Sequence, residues 1–348
     1  MLTREHSIAQ ALEHLCHRIR FQEPLAFHTT LGVGGPANVL IEASTVEQIR
    51  QAVAVCEDAS VPYFLLGGGS NVIFADAGFR GVVIRNLADA FEILDELPQM
   101  PPPAASGHDT RFSPPPLDVA LPCPEDDADA PAVLVRVASG ARLMPLMKHL
   151  FQQGITGLEW FAGIPATVGG AVFMNLHGGP QFFGDLVHRA LLYRHGRFKF
   201  VDREYFRFGY DWSVLHDTRE IVLEVDLRLR RGDVARARRF VKAWAAYKSN
   251  QPQRSAGCIF QNLSPEQQRR LDLPTTSVGY VIDQVLGLKG RQIGGARIAP
   301  THAAFIENLG QATAADVLAL IETVQQAARE RLGIELPLEV ELVGFEGK

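Results

Sequence analysis

Two glycine-rich stretches and one cysteine carry the residue types that could do chemistry in this 348-residue chain. The first, Leu66-Gly67-Gly68-Gly69-Ser70-Asn71-Val72, follows an apolar run, Tyr63–Leu66, and leads into Val72-Ile73-Phe74. Successive glycines let backbone N–H groups turn toward one point with no Cβ in the way, which makes an anion-binding nest. Ser70 and Asn71 add side-chain donors, and a diphosphate is the guest such a nest suits. A dinucleotide fingerprint of the G-x-G-x-x-G kind opens a helix, whereas Val72-Ile73-Phe74 reads as strand. A tight hairpin turn is the simpler account of a lone Gly-Gly-Gly. The second stretch, Gly163-Ile164-Pro165-Ala166-Thr167-Val168-Gly169-Gly170-Ala171, alters that balance. Small residues and glycines are wanted where backbone lies flat against a ring system or a phosphate. Close strand-to-helix packing would produce the same pattern, but two such clusters favour one shared ligand.

The cysteine is Cys258, in Ser255-Ala256-Gly257-Cys258-Ile259-Phe260-Gln261-Asn262, with an amide pair three and four residues on. A free cysteine is often only core, but these neighbours point to a working thiol. Cys16, Cys56 and Cys123 add no paired spacing, so neither a disulfide framework nor a zinc site is indicated. His14 and His17 sit one helical turn apart without a third ligand and read as a solvated face. A formal charge of −5 gives no reason to expect nucleic acid or an anionic membrane. The basic run Arg228–Arg239 straddles a strand end and a helix start and reads as a solvated face. The N-terminus has no signal-peptide apolar run, and no stretch approaches the ~18 apolar residues of a membrane span. These features place the chain in the cytoplasm.

The elements that must position these residues follow from hydrophobic spacing. Ile8, Leu12, Leu15 and Ile19 predict an amphipathic helix at the start of the chain. A strand over Asn38–Glu42, a helix from Val46 capped by Thr45, and strands at Tyr63–Leu66 and Gly81–Arg85 form a β-α-β opening. Residues 95–131 are rich in proline and acid and read as a disordered insertion whose flanking strands, Phe91–Leu94 and Val133–Val137, pair as if it were absent. Further on come a helix over Leu143–Gln153, strands within Leu191–Asp202 and Ile221–Arg230, and a helix from Val234 to about Lys248. Val278–Leu286 and Ala314–Leu332 read as helices, and Ala304–Glu307 and Glu339–Val343 as strands. The length suits two or three domains: an N-terminal helix over 1–22, a domain over 23–232 and another over 233–348.

With these motifs in this order, the sequence resembles the UDP-N-acetylenolpyruvoylglucosamine reductase (MurB) family of peptidoglycan synthesis and cell-wall biogenesis. Beyond the stretches above, the resemblance rests on Ile282-Asp283-Gln284, Gly287-Leu288-Lys289-Gly290, Ile293-Gly294-Gly295-Ala296 and Leu338-Glu339-Val340. It covers about Phe27 to Gly344. It implies an α+β fold: an FAD-binding core of two subdomains, of the PCMH or vanillyl-alcohol-oxidase type, plus a C-terminal α+β substrate domain. The implied reaction takes hydride from NADPH through FAD to a UDP-sugar enolpyruvyl ether, in a monomer. The implied cofactor-binding residues are Gly67, Gly68, Gly69, Ser70, Asn71, Gly163, Ile164, Pro165, Thr167, Val168, Gly169 and Gly170. Cys258 stands where the family has a proton-donating serine. A thiol, with a reference pKa of about 8.5, is still mostly protonated near neutral pH. Glu339 matches the glutamate that assists at the enolate. Tyr210, Asn262 and Gln292 match substrate contacts.

One catalytic position departs from the family. Asp211 stands where the family carries an arginine that pairs with the enolpyruvyl carboxylate, and Gln261 and Glu341 replace two further basic residues. A carboxylate facing a carboxylate repels it. An arginine held by Asp211, with Arg207 and Arg297 as the candidates, would restore the cation. Three readings stand at this point: a MurB-type reductase with a rearranged carboxylate site, a flavin enzyme of the same fold with another substrate, and a non-catalytic FAD-binding protein.

Overall fold

The computed structural model describes residues 8, 11–13, 18–97 and 130–345. His14, His17, Cys16, Cys123 and the body of the expected insertion lie outside them. The chain divides into two compact units, one of residues 1–18, 41–68 and 84–249, the other of 19–40, 69–83 and 250–348. The division is interleaved: strands Pro36–Ala43 and Phe79–Asn86 each give residues to both units. The sequence predicts the last boundary after 232, ahead of helix Val234–Lys248. Instead that helix packs into the first unit. Phe240 and Trp244 are buried there, and Trp244 Nε1 donates to the Trp160 carbonyl at 3.0 Å. The opening segment also differs from expectation. Ile8, Ala11 and Leu12 are helical, but Ile19–Pro24 is a strand that pairs beside Pro36–Ala43.

The first unit is built on an antiparallel sheet in the order Arg197–Asp202, Val187–Arg194, Ile221–Arg231, Ala132–Ala138, Phe91–Leu97. The segment expected as strand within Leu191–Asp202 is a hairpin. His195 and Gly196 both take positive φ, 46° and 74°, which a two-residue turn between twisted strands requires. Phe91 pairs with Val137 and Leu97 with Ala132, so the strands flanking the insertion are register neighbours, as expected. Helix Leu143–Gln152 buries Leu143, Leu146, Met147, Leu150 and Phe151, a single face at helical spacing, in the same core as the sheet residues Val135, Leu192 and Val225. Asp226 is 2% exposed and takes hydrogen bonds from Arg136 at 2.8 Å and Arg189 at 2.6 Å.

The second unit holds an antiparallel sheet ordered Ser255–Cys258, Phe305–Asn308, Ala296–Ile298, Gln292–Ile293. Helix Ala314–Leu332 begins at a reciprocal cap between Thr313 and Asp316 and ends at Gly333 with φ 63°. Asp76 accepts from its first two N–H groups, Ala314 at 2.8 Å and Ala315 at 2.9 Å. Strand Glu341–Val343 runs parallel to Val72–Phe74, so the residues after the first glycine loop are paired by the end of the chain. The segment Val278–Val285 is one α-turn followed by a π-turn. Among the described residues, no helix is long and apolar enough to cross a membrane.

Candidate functional site

Strand Tyr63–Leu66 delivers the chain into Gly67–Asn71. The N–H groups of Gly68, Gly69, Ser70 and Asn71 donate to no acceptor among the described residues. Four consecutive unclaimed donors are what an anion nest requires, and Gly69, the buried one among them, belongs to a class of donor that is otherwise almost always paired. The diphosphate expected here fits. The glycines are needed on the other side of the backbone. A Cβ on Gly67 would lie 2.5 Å from Thr167 Oγ1, and one on Gly68 would lie 2.6 Å from the Pro165 carbonyl. Gly69, at φ 65°, brings its backbone against His28, where a Cβ would sit 2.0 Å from the carbonyl. Its own carbonyl accepts from the Thr30 N–H at 2.9 Å, and Thr30 Oγ1 donates to the Ser255 carbonyl at 2.6 Å.

The second glycine stretch meets the first but serves differently. Its donors are mostly spent on protein: Ile164 on Phe161, Ala166 on Ile164, Val168 on Ala141, and Gly169 on Ser139 at 2.7 Å. Gly170 N–H donates to the Thr167 side chain, which caps helix Val168–Met174. Gly169 permits close packing, since a Cβ there would be 2.9 Å from Ser139 Cβ. Of the expected cofactor residues, Gly68 to Asn71 therefore retain unclaimed N–H donors, while the N–H groups of Ile164, Val168, Gly169 and Gly170 are spent within the protein.

In the second unit, Gly257 has φ 80° and creates a register shift, so that Ser255 pairs with Glu307 and Cys258 with Phe305. Cys258 is half-buried. Immediately after it, the Ile259 carbonyl accepts from the Glu339 N–H at 2.9 Å, and Phe260 bridges Leu338. Asn71 Nδ2 donates to the Glu339 carbonyl at 2.9 Å, and the Glu341 N–H donates back to the Asn71 carbonyl at 3.0 Å. The thiol segment, the glutamate and the end of the glycine loop are thus one backbone-bonded cluster. Asn262 Oδ1 accepts from the Val278 N–H at 2.9 Å, and exposed Gln292 donates to the Gly294 carbonyl at 2.8 Å.

Asp211 does not hold either arginine expected of it. Arg297 is paired with Glu307 at 2.7 Å, and Arg207 is exposed at the end of a 3-10 turn. The partner of Asp211 is His177, whose Nδ1 lies 2.8 Å from Oδ1. Asp211 is 4% exposed, adopts φ 48°, and its Oδ2 is buried without a partner. Tyr210 stacks on the same imidazole at 5.4 Å. Asn175, also left-handed at φ 46°, donates to the Gly209 carbonyl at 2.6 Å and accepts from the Gly184 N–H at 2.9 Å, which fixes the turn. Sequence reading missed His177. The one signal was a histidine three residues past the helix of the second glycine stretch, with nothing local to mark its partner. Among the described residues, no cluster of three or more His, Cys, Asp or Glu could hold a metal.

Comparison with known proteins agrees with these features. The C-terminal domain of UDP-N-acetylenolpyruvoylglucosamine reductase (MurB_C) matches residues 249–343, beginning at the boundary between the two units. The UDP-N-acetylenolpyruvoylglucosamine reductases of Bacillus velezensis and Bacillus subtilis are 32% and 33% identical over 345 residues, 98% of this chain and 99% of each relative. The crystal structure of UDP-N-acetylenolpyruvylglucosamine reductase (MurB) from Thermus caldophilus aligns with a TM-score of 0.68 at 31% identity, covering 94% of this chain and 99% of that one.

Proposed function

The chain belongs to the UDP-N-acetylenolpyruvoylglucosamine reductase family, and from that premise we propose how its own residues divide the reaction. The enzyme is a flavoprotein that reduces UDP-N-acetylglucosamine enolpyruvate to UDP-N-acetylmuramate in peptidoglycan precursor synthesis, using NADPH. Its fold is the family's α+β architecture, an FAD-binding core with a C-terminal domain. Bound FAD supplies the carrier that passes hydride from NADPH to the substrate. The unclaimed backbone donors of Gly68 to Asn71 would hold the cofactor's diphosphate.

The observation that carries the assignment of roles is the cluster joining Cys258, Ile259, Glu339 and Asn71. Hydride adds to one carbon of the enolpyruvyl double bond, and the π pair moves toward the carboxylate as an enolate. The Cys258 thiol gives its proton to the carbon bearing the carboxylate and recovers one from solvent afterwards. Glu339, locked beside that thiol by its backbone, assists at the enolate. Asn262 and Gln292 contact the UDP-sugar. Its formal charge of −5 fits an enzyme without a nucleic-acid partner, and we take it to be a cytoplasmic monomer. The test is NADPH consumption that depends on the enolpyruvyl substrate and yields a product two mass units heavier. NADPH oxidation indifferent to that substrate would favour another acceptor.

A further inference from the structure

The sheet of the second unit sorts its side chains by face, and one face carries an ion pair that the roles above do not use. Residues directly opposite each other point to the same side of a sheet, and successive residues to opposite sides. Ser255 pairs with Glu307, Glu307 with Arg297 and Arg297 with Gln292, a polar row across all four strands. Cys258 pairs with Phe305, two residues from Glu307, so the thiol shares the face of that row. Gly257, at φ 80°, lies in the register shift that lets Ser255 and Cys258 point the same way. The other face, with Ala296, Ile298 and Ile306, is buried in one core with Val317, Leu320 and Ile321 of the long helix. Arg297 is the one basic side chain in the four strands.

Arg297 and Glu307 are 34% and 19% exposed, so the pair is held by the sheet yet open on its outer side. Glu307 Oε1 takes both contacts, from Nε at 2.8 Å and from Nη2 at 2.7 Å. One edge of the guanidinium is thereby pinned, and Nη1 has no acceptor among the described residues. The Nη1–Nη2 edge offers a second pair of parallel N–H groups, which suits a carboxylate or a phosphate bidentately. We propose that Arg297, positioned by Glu307, receives an anionic group of the UDP-sugar substrate on the face that carries Cys258, an inference that rests on the reductase reading above. The substrate has two such groups, the enolpyruvyl carboxylate and the diphosphate, and the guanidinium fork fits either. Lys289, Arg329 and Arg331 of the same unit lie off this sheet and are committed to Asp283, Glu335 and the Leu286 carbonyl.

The experiment titrates oxidised holoenzyme calorimetrically with UDP-N-acetylglucosamine enolpyruvate and with UDP-N-acetylglucosamine, which keeps the diphosphate and lacks the enolpyruvyl carboxylate. Arg297→Ala should weaken binding of the enolpyruvyl substrate roughly 10- to 100-fold, with the flavin content and spectrum of the wild type. A loss confined to that substrate places Arg297 on the carboxylate, and an equal loss for both ligands places it on the diphosphate. Arg297→Lys, which keeps the charge without the fork, should recover part of the affinity. Glu307→Ala should raise KM about tenfold with kcat little changed, and Glu307→Gln, which keeps an acceptor for the guanidinium, should restore most of it. Arg297→Gln serves if alanine at 297 costs the fold. An Arg297→Ala or Arg297→Gln enzyme that binds both ligands with wild-type affinity overturns the inference and leaves the reductase standing. A wild type that binds no enolpyruvyl substrate removes both.

Discussion

The side-chain amide of Asn71 donates to the main-chain carbonyl of Glu339 at 2.9 Å, and the chain returns the bond from the Glu341 N–H to the Asn71 carbonyl at 3.0 Å. The last residue of the glycine loop therefore holds the glutamate expected at the enolate. Asn71→Ala should loosen FAD and also slow flavin re-oxidation by the substrate, about tenfold for the loss of one such bond in a buried network. Stopped-flow measurement of the two half-reactions checks this. A variant slow only in FAD binding would uncouple the loop from Glu339.

Gly68 has no room for a methyl group, because its Cβ would stand 2.6 Å from the Pro165 carbonyl. Gly68→Ala should shift the loop, destabilise the fold by about 1–3 kcal/mol, and raise the FAD dissociation constant at least tenfold. The wild type should hold its flavin non-covalently and release it on acid precipitation. Fluorescence titration of refolded apoprotein with FAD measures the difference. Equal affinity in the variant would mean that the loop does not hold the cofactor.

Cys258→Ser should keep measurable turnover, and Cys258→Ala should be reduced by NADPH at the wild-type rate and then stall. Proton donation belongs to the second half-reaction only, where a general acid contributes about 10²–10⁴-fold. Anaerobic stopped-flow traces separate the halves. Re-oxidation of Cys258→Ala at the wild-type rate would remove the thiol from the mechanism.

Asp226 links acid stability to the sheet. Burial works to raise its pKa, but hydrogen bonds and charge from Arg136 and Arg189 more than offset this and hold it below the usual range. The stabilisation is complete above the unfolded value of about 3.9 and is lost as pH falls through the lower folded value. Asp226→Asn should cost about 1–3 kcal/mol at pH 7, discounted because both arginines are partly exposed. Urea unfolding at pH 7 and at pH 3 should show the gap between variant and wild type narrowing in acid. A gap that is unchanged or wider at pH 3 would contradict the linkage.

Local chemistry was readable in the residues, and long-range pairing was not. Thr45 caps its helix by accepting from the Gln48 N–H, and the strands flanking the insertion pair in register, as composition and spacing dictate. The glycine loop could be read as a nest because only glycine tolerates that backbone. The stretch at 163–170 looked equivalent in sequence, yet its N–H groups are consumed by Ser139, Ala141 and Thr167. No local pattern could show this. Nor could it show that 19–40 and 69–83 join the C-terminal unit, or that Asp211 turns to a histidine 34 residues away rather than to an arginine. Those outcomes depend on which surfaces meet, and an imidazole leaves no spacing signature.

As a member of its family, this flavoprotein delivers hydride to an enolpyruvyl ether. The most direct measurement reduces the enzyme-bound flavin with one equivalent of NADPH under anaerobic conditions, then mixes it with saturating UDP-N-acetylglucosamine enolpyruvate. Full return of oxidised-flavin absorbance, with one equivalent of UDP-N-acetylmuramate formed, is the expected result. Flavin that stays reduced in the presence of saturating substrate would contradict it.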